Sequence, residues 1–571
     1  MDRAAAKAIL KQRIDQALGR NRADLVIKNV RLLNVATGNI DETDIAICGD
    51  TIVGTYDRYD GVREIDGKGR FAVPGFIDTH VHCESTLVAP SEFDRCVLPR
   101  GTTTAICDPH EICNVMGDAG LQYFLDSALT TALDLRVQLS SCVPATHLET
   151  AGARLKADDL ARHRHHPKVI GLAEFMNFPG VLWKDEETLD KLAEFYGAHI
   201  DGHSPLVTGK ELNAYLSCGI RNCHECTSQA EAREKIAKGM QVLIRDGSVS
   251  KDVDALSGLI DPVTSPFLAF CTDDRNPLDI AEEGHLDHLI RRAIAHGADI
   301  AAVYRTATWS AARGFGLKDR GLVAPGYLAD IVLLDDLAQC TVSQVIRAGK
   351  PVSAETFAGR KSPPPVGLNS IKRDRIGSED LAIPASGPGT PVIGVLPNKI
   401  ITEALQATVP YRNGRRHADP ENDILKIVVV ERHGFTRNIG KGFVKGFGIR
   451  SGALASSVGH DSHNICAVGS SDADMVVAIN RLIEIGGGFV AVKDGTVVGE
   501  LALPVAGLMS LKPFEAVEHE LEALRASVKA LGCPLAEPFL QLAFLPLPVI
   551  PHLKITDMGL VDVDKFELVA A

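Results

Sequence analysis

The sequence predicts an α/β protein: a (β/α)8 TIM-like barrel, a small β-sandwich built from segments flanking the barrel, and a C-terminal α/β domain. Three observations predict it. Between residues 71 and 317, short apolar strands alternate with longer helical patterns, the rhythm of a barrel. On either side of that region, stretches alternate apolar and polar residues between turn signals, as small β units do. Beyond a stretch rich in Pro, Gly, Ser and charge, a second α/β pattern begins near residue 396. The predicted organisation is 1–70 for an N-terminal helix and the first part of the sandwich, 71–317 for a metal-binding barrel and 318–360 for the second part of the sandwich. A linker over 361–395 and the C-terminal domain over 396–571 complete it.

In chain order, residues 1–20 mix Lys, Arg, Asp and Ala at helical spacing and lack the apolar core of a signal peptide. Residues 24–56 alternate, with turns at Thr37-Gly38-Asn39 and Gly49-Asp50. Residues 71–82 read as one strand. Residues 104–107, 169–172 and 267–270 are further barrel strands, and a β-rich stretch recurs at 321–334. Pro363-Pro364-Pro365 marks the linker. Residues 424–430 and 488–492 read as strands, and helical patterns lie near 471–485 and 514–531. Gly440, Gly442 and Gly446 lack the strand-turn-helix setting of a dinucleotide motif and read as a flexible loop.

A chain of 571 residues is long enough for several domains. Its hydrophobic share of 45% and charged share of 23% are those of a soluble globular protein. The net charge of −13 leaves no basic excess to neutralise phosphates, so no nucleic-acid partner is expected. No apolar run approaches a membrane span. Thirteen cysteines, an odd number scattered through the chain, favour the reducing cytoplasm.

Candidate metal ligands end successive apolar runs. His80 and His82 share one face at the end of the first strand. Glu174, His203, His224 and Asp273 follow later runs. In a (β/α)8 barrel all C-terminal strand ends open on one face, so these residues converge. Four imidazoles and two carboxylates can hold two divalent cations with a carboxylate bridging. Asp274 is the neighbouring alternative to Asp273; on a strand the two would face opposite ways. Glu84 is placed to orient a ligand imidazole. His285 and His288 read as surface histidines of one helix. His460-Asp461-Ser462-His463 reads equally as a further metal or pocket segment and as a turn held by side-chain hydrogen bonds.

Pro74–His82, the ordered Glu174, His203, His224 and Asp273, and the closing Gly321–Ala329 motif resemble the metal-dependent amidohydrolase superfamily. Asp108-Pro109-His110-Glu111, Gly171–Asn177, Asp201–Pro205, Leu243–Ser248 and Cys271–Pro277 make the likeness closer still to bacterial adenine deaminases. The resemblance covers nearly the whole chain. It implies hydrolytic deamination of adenine to hypoxanthine and ammonia, with metal-bound hydroxide attacking C6, in purine salvage and adenine catabolism. It implies a binuclear centre, Mn2+ first with Fe2+ or Zn2+ as alternatives, bridged by Glu174 where dihydropyrimidinases use a carboxylated lysine; Lys168 sits outside the apolar run. By the same resemblance Asp273 shuttles the water proton, Glu111 protonates a ring nitrogen and Asp108 contacts the purine. The expected partners are the purine substrate and a second copy of the chain, as a dimer, with no nucleic acid and no membrane. Cys223 stands where relatives commonly have Asp. The Cys223-x-x-Cys226 spacing differs from the zinc deaminases' P-C-x-x-C, since Asn222 replaces the proline. A cyclic-amide hydrolase and a catalytically silent scaffold are the competing readings.

Overall fold

Eight parallel strands carry the middle of the chain: β1 (Phe76–Val81), β2 (Thr102–Cys107), β3 (Asp134–Leu139), β4 (Val169–Phe175), β5 (Ile200–Gly202), β6 (Asn222–Cys223), β7 (Gln241–Arg245) and β8 (Leu268–Cys271). The computed structural model describes residues 2–569. β1 to β5 pair in sequence order, as do β6 to β8. Backbone seams join the two sheets into a ring. Arg221 N donates to Ile200 O (3.2 Å) between β5 and β6; Asp273 N donates to His80 O (2.9 Å) and His82 N to Asp273 O (3.1 Å) between β8 and β1. β1 and β2 are buried along their whole length, which is why they read as continuous apolar runs. The predicted barrel class is thus the observed one.

Segments from both sides of the barrel share one sheet. Its strands run in the order 350–351, 341–347, 331–336, 71–74, 23–33, 40–48 and 51–54, with 61–66 pairing on 23–33. The sheet curls back on itself, since Ile52 N donates to Tyr327 O (2.9 Å) and Gly326 N to Ile52 O (2.8 Å). Leu25, Ile27, Ile45, Ile331 and Ile346 fill the fold between.

The segment 71–82, expected as one strand, is two. Phe71–Pro74 belongs to the flanking sheet and Phe76–Val81 to the barrel. The break falls at Gly75, where a Cβ would collide with Thr103 Oγ1, so only glycine lets the chain cross at this point.

The C-terminal region is an eight-stranded sheet with strands 402–408, 389–395, 439–445, 424–430, 465–469, 453–456, 488–493 and 496–502 in that order. Helix Asp472–Ile485 packs on it through Met475, Ala478, Ile479 and Leu482. Ser471 caps that helix at Asp474 N, and Gly486 (φ 78°) ends it. Two expectations change here. Gly389–Val395, read as the end of a linker, is a strand of this sheet, and Ile371, Ile376 and Leu381 are buried against its core. Gly440 and Gly442, read as a flexible loop, lie in strand Ile439–Lys445. They are glycines because the hairpin 553–562 lies directly over them: a Cβ on Gly440 would strike Thr556 O, and one on Gly442 would come within 2.9 Å of Leu560.

The C-terminal region sits over the barrel loops. Thr556 Oγ1 donates to Leu148 O (2.6 Å), Ser462 Oγ to Glu149 Oε2 (2.6 Å) and Asn464 Nδ2 to Thr150 O (2.9 Å). His285 and His288, expected at the surface, are both buried. His285 precedes helix Leu286–Ala295 and lies 3.0 Å from Thr102 Oγ1 and 3.2 Å from Asp78 Oδ2, tying that helix to β1 and β2. Among the described residues no helix is long and apolar enough to cross a membrane.

Candidate metal centre

Side-chain alternation at the end of β1 sends His80 and His82 to one face, with ring centroids 4.8 Å apart. His80 Nε2 lies 3.5 Å from Glu174 Oε1 and 3.4 Å from Asp273 Oδ1; His82 Nε2 lies 3.4 and 3.1 Å from the same atoms. The other oxygen of Glu174, Oε2, is 2.8 Å from His203 Nδ1 and 3.4 Å from His224 Nε2. Glu174 therefore divides its two oxygens between two groups of donors. One group is His80, His82 and Asp273; the other is His203 and His224. All six residues are buried.

The donor set fits a pair of cations. Donors held about 2.1 Å from a common tetrahedral cation lie about 3.4 Å from one another, the spacing seen around Glu174. Both ring nitrogens of His80 and Nε2 of His203 lack any hydrogen-bond partner, which is costly for buried groups with no further ligand. His82 is oriented by Asp108 O, 3.0 Å from its Nδ1. Glu84, expected in that role, instead accepts from Ile112 N (3.2 Å), and burial together with the nearby Glu111 charge pushes its carboxyl up to about 8. Lys168 is committed elsewhere, donating to Asp134 Oδ1 at 2.6 Å.

Burial opposes ionisation of Glu174 and Asp273, but the facing imidazoles outweigh it and hold both carboxyls well below the usual range. Arg245 assists at Asp273, with Nη1 2.9 Å from Oδ2. Asp273 and Asp274 both reach the cleft, contrary to strict alternation. β8 ends at Cys271 and Asp273 has a φ of 54°, so the two are no longer on a strand. Asp274 accepts from Ser85 Oγ, and burial raises its carboxyl.

Asp108 does not line the cleft. Its carboxylate is buried, with Oδ2 2.9 Å from His110 Nδ1 and Oδ1 accepting from Ser140 Oγ (2.8 Å). Glu111 does line it, with Oε1 2.7 Å from His460 Nδ1 and Oε2 against His463. Burial works against its charge, yet His460, His463 and His110 outweigh burial and keep it ionised.

Two further side chains at this face are not singled out by strand-end spacing. Glu225 lies 3.4 Å from His224 Nε2 and is gripped through both oxygens by Arg245. His110 lies 3.5 Å from Glu174 Oε1. The only sequence signal for Glu225 is its place directly after His224, and for His110 its place beside Glu111. Cys223 accepts from Ser204 Oγ (3.3 Å) and Lys235 Nζ (3.4 Å). Burial opposes its ionisation, but the Cys226 thiol and the Lys235 ammonium hold it well below the ordinary range. The C-terminal region lines the cleft with Ile400, His460, Phe544 and Leu547.

Residues 71–352 match the amidohydrolase family, and residues 399–567 match the adenine deaminase C-terminal domain. The chain is 60% identical over 560 residues to adenine deaminase 1 of Agrobacterium fabrum, covering 98% of this chain and 97% of that protein. It is 61% identical over 559 residues to adenine deaminase of Gluconobacter oxydans, covering 98% and 99%. The chain belongs to the adenine deaminase family. That membership bears out the sequence resemblance and makes the chain an enzyme of a metal-dependent superfamily. Among solved structures, N-acetylglucosamine-6-phosphate deacetylase from Thermotoga maritima aligns at 16% identity with a TM-score of 0.45, covering 57% of this chain and 99% of that one.

Proposed function

We propose that this enzyme hydrolyses adenine to hypoxanthine and ammonia in cytoplasmic purine salvage and adenine catabolism. The observation that carries the reading is the division of the Glu174 oxygens between two donor groups lining one cleft. His80, His82 and Asp273 would hold one divalent cation, His203 and His224 the other, with Glu174 shared. Nitrogen and oxygen donors of this kind admit manganese, iron or zinc, and the family resemblance puts manganese first. Such a pair supplies a water acidic enough to attack an aromatic carbon at neutral pH.

The chain's own groups do the rest. Asp273, fixed by Arg245, accepts the proton of the attacking water at Oδ1 and returns it to the C6 amine, which leaves as ammonia. Asp274, the cleft carboxyl that burial makes easier to protonate, gives a proton to ring N1 as charge moves there and takes back the C6 hydroxyl proton as the carbonyl forms and ammonia leaves. Glu111, whose carboxyl the flanking imidazoles hold low, is the less ready donor to N1. Arg245 keeps Glu225 ionised, so Glu225 accepts a hydrogen bond from a purine N–H. Phe544, Ile400 and Leu547 give a flat ring an apolar wall that excludes bulk water.

The test uses protein produced with manganese and without chelator. Adenine, adenosine, cytosine and guanine are supplied separately while ammonia and the ultraviolet spectrum are followed. Ammonia from adenine with a hypoxanthine spectrum is expected, lost in His80→Ala and Glu174→Gln. Silence towards adenine in metal-replete protein would overturn the assignment.

A further inference from the structure

A third cluster of ligand-type side chains lies at the seam between the barrel and the C-terminal region. The barrel contributes His110 and Glu111, which open helix His110–Met116 after β2. The C-terminal region contributes His460, Asp461 and His463 from the loop between strands 453–456 and 465–469. None of the five is more than 2% exposed. None belongs to the two donor groups that share Glu174.

The donor atoms are spaced like a coordination shell. His110 Nε2 is 3.3 Å from Glu111 Oε1 and 3.5 Å from Asp461 Oδ1. His460 Nδ1 is 2.7 Å from Glu111 Oε1 and 3.9 Å from Asp461 Oδ1. These values bracket the separation of about 3.4 Å expected between donors on one tetrahedral cation. The hydrogen-bond geometry does not account for the cluster. His110 Nε2 and both oxygens of Glu111 are buried without a partner in hydrogen-bonding geometry, although imidazole nitrogens stand beside them. An ordinary polar network would satisfy these atoms.

The surrounding contacts prepare each ligand. Asp108, itself held by Ser140, fixes the proton of His110 on Nδ1 and turns the Nε2 lone pair towards Glu111 and Asp461. The His460 ring is stacked on Phe544, with centroids 4.5 Å apart and planes at 13°. Gly459 N donates to His463 Nδ1 (3.1 Å), which leaves that ring's proton on Nε2 against Glu111 Oε2. Of the two Glu111 oxygens, Oε1 is the one that lies beside His110 Nε2 and His460 Nδ1.

We propose that His110 Nε2, Glu111 Oε1, His460 Nδ1 and Asp461 Oδ1 form a third divalent-cation site, separate from the pair around Glu174. Two of its ligands come from the barrel and two from the C-terminal region, so a cation there fastens one to the other across the cleft. Mixed nitrogen and oxygen donors favour a transition metal over calcium or magnesium.

The test is a metal count on the full chain, stripped and then equilibrated with Mn2+ or Zn2+ at controlled free concentration. Three equivalents per chain are expected for the unaltered protein at saturation. Asp461→Asn and His460→Gln are each expected to bind two, while Glu174→Gln keeps the third cation. Titrating the last equivalent should raise the melting temperature of the unaltered protein and leave that of Asp461→Asn unmoved. Saturation at two equivalents in the unaltered protein, a measurement that depends on no variant, overturns the proposal. So does a count of three in both variants. The count involves no purine, so its failure is distinct from failure of the substrate assignment.

Discussion

Lys554 gives the sharpest quantitative prediction. Its ammonium is buried, donating to Ile400 O (2.7 Å) and Phe544 O (3.0 Å), and so ties together two segments of the cleft wall. Among the described residues no carboxylate pairs with it, and burial lowers it from 10.5 to about 7. The unfolded chain therefore holds a proton that the folded chain has lost between pH 7 and 10.5. Stability must rise with pH through that window, by up to about 1.4 kcal/mol per pH unit and about 4 to 5 kcal/mol in all. Lys554→Met removes this dependence and leaves two carbonyls unpaired, at about 1 to 3 kcal/mol each. Relative to the unaltered protein, the variant should be least handicapped at pH 7 and fall further behind by about 2 to 3 kcal/mol at pH 9. Paired denaturant or thermal unfolding of both proteins, with metal held constant, measures that gap. A gap that does not change between pH 7 and pH 9 would refute the reasoning.

Other consequences are independent of Lys554. Asp273→Asn should lower kcat on adenine by about a hundredfold or more, and proton inventory on the residual rate checks that a transfer step is affected. Arg245→Met strands two buried carboxylates, Glu225 and Asp273; it should cost about 3 to 5 kcal/mol of stability, read by denaturant unfolding, and weaken metal retention on dialysis. Gly440→Ala should loosen the hairpin 553–562, seen as faster amide exchange there than in strand 424–430.

The barrel and six converging side chains were legible because a (β/α)8 ring gathers strand ends onto one face, so an apolar run followed by His, Glu or Asp carries positional information. That logic stops where the strand stops. His110 lies beyond the end of β2, and Glu225 lies two residues beyond Cys223, where alternation no longer predicts direction. Asp273 and Asp274 share the cleft for the same reason. The loop His460–His463 was visible as a motif but not as a neighbour of Glu111, since that contact depends on how two regions dock. His285 looked like one face of an exposed helix, yet its position ahead of the helix carries it under Asp78. The break at Gly75 was hidden because apolar residues continue through both strands.

The seam that closes the barrel runs through the first and last ligands. His80 O and His82 N are bonded to the backbone of Asp273 itself. The two ends of the ring cannot part without separating the groups that would grip a cation. During synthesis, a chain that has not yet emerged past residue 273 has no complete ligand set and so no trap for free metal. Retention of metal would then report that the ring has been joined.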